Sequence, residues 1–165
     1  ARRRPAPATA EGWSDMEQKE IRFPLFIDLN GRKAVVVGGG AIACRRAGVL
    51  RTFGAQVTLI APEWKEHIEG VSWLQRPYQS GDLDGAVLAV AATDDRAVNR
   101  QVGEDACALG IPVSVADRRE ECTFLFPAVC LGEELVAGVV SANNDHKAVA
   151  RAAAAIRETL KEGKG

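Results

Sequence analysis

Val35-Val36-Val37-Gly38-Gly39-Gly40-Ala41-Ile42-Ala43 sets a β-branched apolar run directly against three glycines and then a helix-forming pattern. A strand that reverses into a helix this abruptly needs a residue without a Cβ at the corner, which Gly38 supplies. Gly40 leaves room for a pyrophosphate to approach the backbone, and the small Ala43 lets the new helix lie close on the strand. The helix opening at Ala41 turns its unpaired N–H groups and positive dipole end toward that phosphate. A second β-branched run, Gln56-Val57-Thr58-Leu59-Ile60, follows the helix expected over 44–53, and Gly54 stands where a helix C-cap belongs. Strand, glycine turn, helix, glycine and strand make one βαβ unit.

The chain has 165 residues, enough for one domain of about 150 residues and a small extension. Its 47% hydrophobic and 26% charged residues are the balance of an ordinary globular protein, and no apolar run approaches the ~20 residues that cross a bilayer. A cytoplasmic location is expected. A formal net charge of -1 provides no basic face, so nucleic-acid binding is excluded as a main role. Cys44, Cys107, Cys122 and Cys130 show neither CxxC pairs nor histidines at zinc-ligand spacing. They read as small core hydrophobes, and no metal site is expected.

Residues 1–20 carry Arg2-Arg3-Arg4, prolines and few apolar side chains, the composition of a disordered tail. Phe23 to Leu29 reads as a short strand or an extended lead-in. Further strands are expected over 71–76, 86–92 and 111–115, with a helix over 96–109 capped by Asp95 or Thr93. Alternating strands and helices predict an open, mostly parallel sheet with helices on both faces and ligands at the carboxyl ends of the strands, where Thr93 and Asp117 fall. Beyond Asp117 the rhythm changes. The runs 124–130 and 135–140 read as a hairpin, and 147–162 as a helix with an alanine-rich face at Ala148, Ala152, Ala155 and Ile156.

The order Phe23-Pro24-Leu25-Phe26, the glycine corner, Val57-Thr58-Leu59-Ile60-Ala61-Pro62-Glu63, Ala91-Ala92-Thr93-Asp94-Asp95 with Asn99, and Asp117 followed by Cys122-Thr123-Phe124-Leu125-Phe126-Pro127-Ala128 resembles the precorrin-2 dehydrogenase domain of siroheme synthases. The resemblance runs from Phe23 to about Val140. It implies a Rossmann-like, doubly wound α/β fold: an NAD-binding domain over 21–117, then a strand-strand-helix segment over 118–165 that serves dimerisation and substrate binding and is truncated relative to the family. It also implies oxidation of the tetrapyrrole precorrin-2 to sirohydrochlorin with NAD, in a homodimer, with ferrous iron insertion weak or absent. By the same resemblance Gly38, Gly39, Gly40, Ala41 and Ile42 hold the pyrophosphate, Pro62 and Glu63 lie near the adenosine ribose, and Thr93 and Asp94 line the cofactor cleft. The resemblance likewise implies that Asp117 is the catalytic acid–base residue and that Ser141, Asn143 and His146 are the substrate contacts. The alternative is a non-catalytic NAD-binding sensor or scaffold of the same pathway, because the family's glycine-rich turn is replaced here by Ser141-Ala142-Asn143-Asn144-Asp145-His146.

Overall fold

A computed structural model describes residues 22–162; the tail expected over 1–20 lies outside the described residues. Five strands form one parallel sheet: β1 (Lys33–Val37), β2 (Gln56–Ile60), β3 (Ser72–Leu74), β4 (Leu88–Ala91) and β5 (Val113–Val115), in the order β3-β2-β1-β4-β5. Helix α1 (Ala41–Thr52) links β1 to β2, and α2 (Arg96–Ala108) links β4 to β5. The order reverses at β1, which pairs with β2 on one side and β4 on the other. Val37 lies opposite both Ile60 and Ala91, so the strands end level with one another. That level edge at a strand-order reversal is where an open α/β sheet accepts ligands.

Helices on both faces explain why β1 and β4 are apolar throughout rather than alternating. Val36, Val57, Leu59 and Val90 point into the layer filled by Ala43, Ala47 and Leu50 of α1. Val35, Val37, Ile60, Val113 and Val115 point into the other, beneath Val102 and Ala106 of α2. The small residues Ala43 and Ala47, both fully buried, let α1 sit close to the sheet.

After β5 the chain makes a single 3₁₀ turn (Arg119–Glu121) and then a hairpin of β6 (Ala128–Leu131) and β7 (Val136–Val139), with Ala128 opposite Val139. One expected extension is not strand, and of the two readings of 23–29 the extended lead-in is the one found. Phe124 to Pro127 adds no strand, although Phe124 N–H donates to Val113 O at 3.3 Å, because its rings are spent on packing: Phe124 and Phe126 lie 6.2 Å apart against the α1 layer. Phe23 to Leu29 is an extended lead-in without a partner strand; Phe23 is 86% exposed, and only Leu29 reaches the core.

The last helix, α3 (His146–Glu162), rests on the hairpin. Its inward stripe is the buried Ala153 with the half-buried Val149, Ile156 and Leu160; of the expected alanine face Ala148 and Ile156 are half-buried, and Ala152 and Ala155 are exposed. Three larger side chains bury more apolar area than alanines and so decide which stripe turns inward. Ala153 is the close-contact point, where the Cys130 thiol donates to its carbonyl at 3.4 Å. Cys44, Cys122 and Cys130 are buried as expected, but Cys107 on the outer side of α2 is exposed.

Candidate functional site: two clefts joined by a buried asparagine

At the level edge of the sheet, β1 ends in the glycine corner. Gly38 has a φ of +125°, and a Cβ there would overlap the carbonyl oxygen of Ala92 just past β4. A Cβ on Gly39 would overlap the carbonyl of Glu63, on the loop after β2. Both glycines are therefore demanded by neighbouring backbone. Gly40 differs: a Cβ placed on it meets nothing within 4 Å. It faces the open cleft and stands at the N-cap of α1, where no side chain caps the helix and no acidic residue occupies the first turn. Free N–H groups, a positive dipole end and a bare Cα facing open space suit a phosphate, so the residues present fit a dinucleotide.

Around this corner lies a cleft of about 450 Å³ lined by Gly38, Gly39, Gly40, Pro62, Glu63, Thr93 and Asp94 of the expected cofactor residues, with Lys65 and Tyr78 beside them. Ala41 and Ile42 stand exposed on the first turn of α1, outside its walls. The loop after β2 is pinned from both sides. Lys65 donates its backbone N–H to Gly39 O at 3.1 Å, and the Trp73 indole donates to Ala61 O at 2.9 Å. Tyr78 donates its hydroxyl to Asp105 at 2.8 Å, and burial, seconded by that carboxylate, pushes the phenol above its ordinary range.

Asp117 is not in this cleft. It lines a second one of about 200 Å³ with Arg46, Ser114, Arg119, Phe126, Ser141 and His146. Asn144 lines it too; Asn143, expected as a substrate contact, is exposed and does not, its backbone N–H being bound to Ser141 Oγ at 3.1 Å. The Ser141 hydroxyl also accepts from Asp145 N at 2.9 Å, and Arg119 donates to Ser141 O at 2.7 Å and to Ala142 O. The turn that lacks the family's glycines is thus held by a hydroxyl and a guanidinium, with Asn144 taking the left-handed conformation at φ 58°. His146, two residues on, is exposed at the start of α3.

One side chain joins the two clefts. Asn99 of α2 is 1% exposed, and every hydrogen-bonding site of its amide is used. Its oxygen accepts from Thr93 N at 2.9 Å and Thr93 Oγ1 at 2.8 Å; its nitrogen donates to Thr93 O and to Asp117 Oδ1, each at 3.0 Å. Asp117 Oδ1 also lies 3.5 Å from the Arg96 guanidinium, which is paired with Glu121. Asp95 is the α2 cap, accepting from Ala97 N at 2.8 Å, while the Thr93 hydroxyl accepts from Asp95 N at 3.1 Å. Sequence reading noted Asn99 without a role. Its signal was position: it lies three residues before Val102 and seven before Ala106, on the stripe of α2 that should be apolar.

Helix α1 turns Arg46 away from the glycine corner and into the second cleft. There Nη1 lies 3.4 Å from Ser114 Oγ, the guanidinium stacks 5.1 Å from the Phe126 ring centroid, and Nε is buried with no hydrogen-bond partner. Burial, aided by the charge of Arg45, draws its pKa below the ordinary guanidinium value.

Sheet order, glycine corner and open helix start together define a nucleotide-binding domain of the Rossmann type. Residues 25–128 match the family described as putative NAD(P)-binding, and the chain belongs to that family. It is 42% identical over 139 residues to a probable multifunctional siroheme biosynthesis protein HemA of Ruminiclostridium josui, covering 81% of this chain and 27% of that protein. It is also 42% identical over 143 residues to the siroheme synthase of Azotobacter vinelandii, covering 83% of this chain and 31% of that one. The chain thus spans less than a third of the length of these relatives. Among solved structures it is similar to SirC, a precorrin-2 dehydrogenase, with a TM-score of 0.66 and 25% identity over 87% of this chain and 72% of that one. The expected fold, family and cofactor, NAD, agree with these likenesses. Among the described residues no helix is long and apolar enough to cross a membrane.

Proposed function

We propose that this chain oxidises precorrin-2 to sirohydrochlorin, with the glycine cleft holding NAD and the Asp117 cleft receiving the edge of the tetrapyrrole. The observation that carries this reading is the Asn99 bridge, which fixes the wall of a dinucleotide cleft to a carboxylate in an adjoining cleft. A redox enzyme needs that adjacency, because its coenzyme and its proton acceptor must address the same substrate. The names of the siroheme synthases and of the precorrin-2 dehydrogenase neighbour supply the substrate class.

When bound, NAD supplies a two-electron acceptor for the hydride lost by the macrocycle. The chain's own residues do the rest. Gly40 and the open start of α1 bind the diphosphate, with Ala41 and Ile42 contributing backbone. Glu63, beside Pro62, accepts from the adenosine ribose, and Thr93 and Asp94 bound the far side of the cleft. Asn99 and Arg96 hold Asp117 by Oδ1, which leaves Oδ2 to take up the proton released as the hydride departs. Ser141 shapes the substrate turn, and His146 and Asn144 face the incoming ring. Iron insertion is not part of the proposed activity.

The proposed partner is a second copy of the chain. Phe23, Leu25, Phe26 and Ile27, with Leu131, Leu135, Val136 and Val140 of the hairpin region, are exposed apolar side chains, and Leu25, Phe26, Ile27, Val136 and Val140 line one surface that a second copy would cover. The proposed location is the cytoplasm, where buried thiols such as Cys44 and Cys130 stay reduced.

The test is anaerobic formation of NADH from precorrin-2 by the wild type and by Asp117→Ala. Turnover in the wild type, lost in the variant while coenzyme still binds, is the expected result. Coenzyme binding without turnover in the wild type would favour the sensor or scaffold instead.

A further inference from the structure

We infer that Arg46, assisted by Arg119, forms a carboxylate-binding subsite in the second cleft, where it takes one of the acetate or propionate arms of the tetrapyrrole. The inference rests on the proposed function for the identity of the ligand, but not for its chemistry, which is that of an organic carboxylate.

Arg46 contrasts with four other arginines of this chain. Arg76, Arg96, Arg100 and Arg118 each pair with an aspartate or glutamate. Arg46 is half-buried and among the described residues has no carboxylate partner. Its contacts are one long bond to the Ser114 hydroxyl and the face of Phe126, and its Nε–H is shut away from water without an acceptor. A buried cation with an idle donor is a deficit that a ligand oxyanion removes. Stacking on Phe126 holds the guanidinium plane, so its edge meets a carboxylate as a preorganised fork.

The acid of the cleft, Asp117, forms no ion pair with Arg46, its Oδ1 being engaged by Asn99 and approached by Arg96. Arg119 adds a second guanidinium spent only on carbonyl oxygens of the Ser141 turn. The cleft therefore carries uncompensated positive charge. Its volume of about 200 Å³ matches an arm and part of a pyrrole rather than a macrocycle. A coenzyme phosphate would offer similar oxyanion chemistry, but Arg46 lines the cleft of Asp117 and not that of the glycines.

The probe is uroporphyrin, a stable porphyrin bearing both kinds of arm, titrated by its absorbance into the full chain without coenzyme. Wild type, Arg46→Met, Arg46→Lys and, as a surface control, Arg100→Met are compared, with NAD affinity and thermal midpoint measured for each. Arg46→Met is expected to weaken uroporphyrin binding roughly 10- to 100-fold, the worth of hydrogen bonds to a charged group. Its NAD affinity stays at the wild-type value, and its thermal midpoint is unchanged or higher because a poorly compensated cation has been removed. Arg46→Lys restores charge without the fork and recovers part of the binding. Wild-type affinity in Arg46→Met, or no uroporphyrin binding by the wild type, overturns the subsite. A drop in NAD affinity reassigns Arg46 to the coenzyme, and a lowered midpoint with unchanged uroporphyrin binding makes it structural. An absence of NADH formation from precorrin-2 would refute the proposed reaction while leaving the uroporphyrin result to judge the subsite by itself.

Discussion

Gly39 and Gly40 are neighbours with opposite reasons for being glycine, and alanine at each separates folding from coenzyme binding. At Gly39 an added methyl overlaps the backbone carbonyl of Glu63. That carbonyl cannot swing aside cheaply, because its loop is tied back by the Lys65 bond to Gly39 itself. A forced backbone shift of this kind costs about 1–3 kcal/mol, which for a domain of this size lowers the thermal midpoint by roughly 2–12 °C. At Gly40 the backbone is at φ -80°, ψ 179°, an extended conformation open to alanine, and the methyl meets nothing within 4 Å. Reduced freedom of the unfolded chain favours Gly40→Ala, and poorer N-capping by alanine opposes it, so its stability stays within about 1 kcal/mol of the wild type. Its methyl nevertheless occupies the space that faces the diphosphate. Losing charge-assisted bonds to backbone N–H groups weakens NAD binding by roughly 10- to 100-fold. Differential scanning calorimetry and isothermal titration with NAD read the two effects separately. Wild-type NAD affinity in Gly40→Ala, or a wild-type midpoint in Gly39→Ala, would refute the division of labour.

Asn99→Leu strips acceptors and donors from Thr93 and Asp117 at a buried site and is expected to cost about 3 kcal/mol in chemical denaturation; Asn99→Asp sets a second carboxylate against Asp117 and is expected to move the pH profile of turnover. Tyr78 is the single tyrosine, so alkaline absorbance titration reads it alone, and its phenolate is expected to appear only above the ordinary range near about 10. Because the folded-state value is raised, Tyr78 adds stability below that pH and the contribution is lost as pH climbs through it; Tyr78→Phe should flatten the alkaline limb of the melting curve. Asp82 shifts the other way. Its bidentate bond to Arg76, at 2.7 and 2.8 Å, holds the carboxyl below its ordinary value of 3.8, so its contribution is present above that pH and lost as pH falls. Asp82→Asn should remove this part of the acid dependence of the thermal midpoint. Phe26→Asp is expected to shift the chain toward monomer in sedimentation, if the exposed lead-in is covered by a second copy.

The parallel sheet was legible because its signals are local: a glycine corner that admits few conformations, and strands buried on both faces that read as unbroken apolar runs. The expectation for β2 matches residue for residue, and α1 begins at Ala41 as expected. What lay hidden was decided by competition between distant groups. Phe124 and Phe126 have strand-like character, yet ring packing against the α1 layer outweighs pairing until Ala128. In α3 an alanine count drew the eye to Ala152 and Ala155, whereas the area buried by Val149, Ile156 and Leu160 set the orientation. Arg46 follows the glycine corner by only six residues, but helical rotation and the location of Phe126 carry it to the neighbouring cleft. Gathering the expected residues into two groups rather than one is a property of the sheet edge that spacing along the chain does not express.

The support of α3 bears on how the molecule breathes. The helix lies on a two-stranded ribbon rather than on the five-stranded sheet, and polar straps from Arg119 to Ser141 and Ala142 tie its entry to the loop after β5. A ribbon of two strands has little cooperativity of its own. Amide protons of α3 should therefore exchange with deuterium through sub-global openings well below the free energy that guards β1 and β4, letting the end of the molecule that carries the Asp117 cleft open while the glycine corner stays shut.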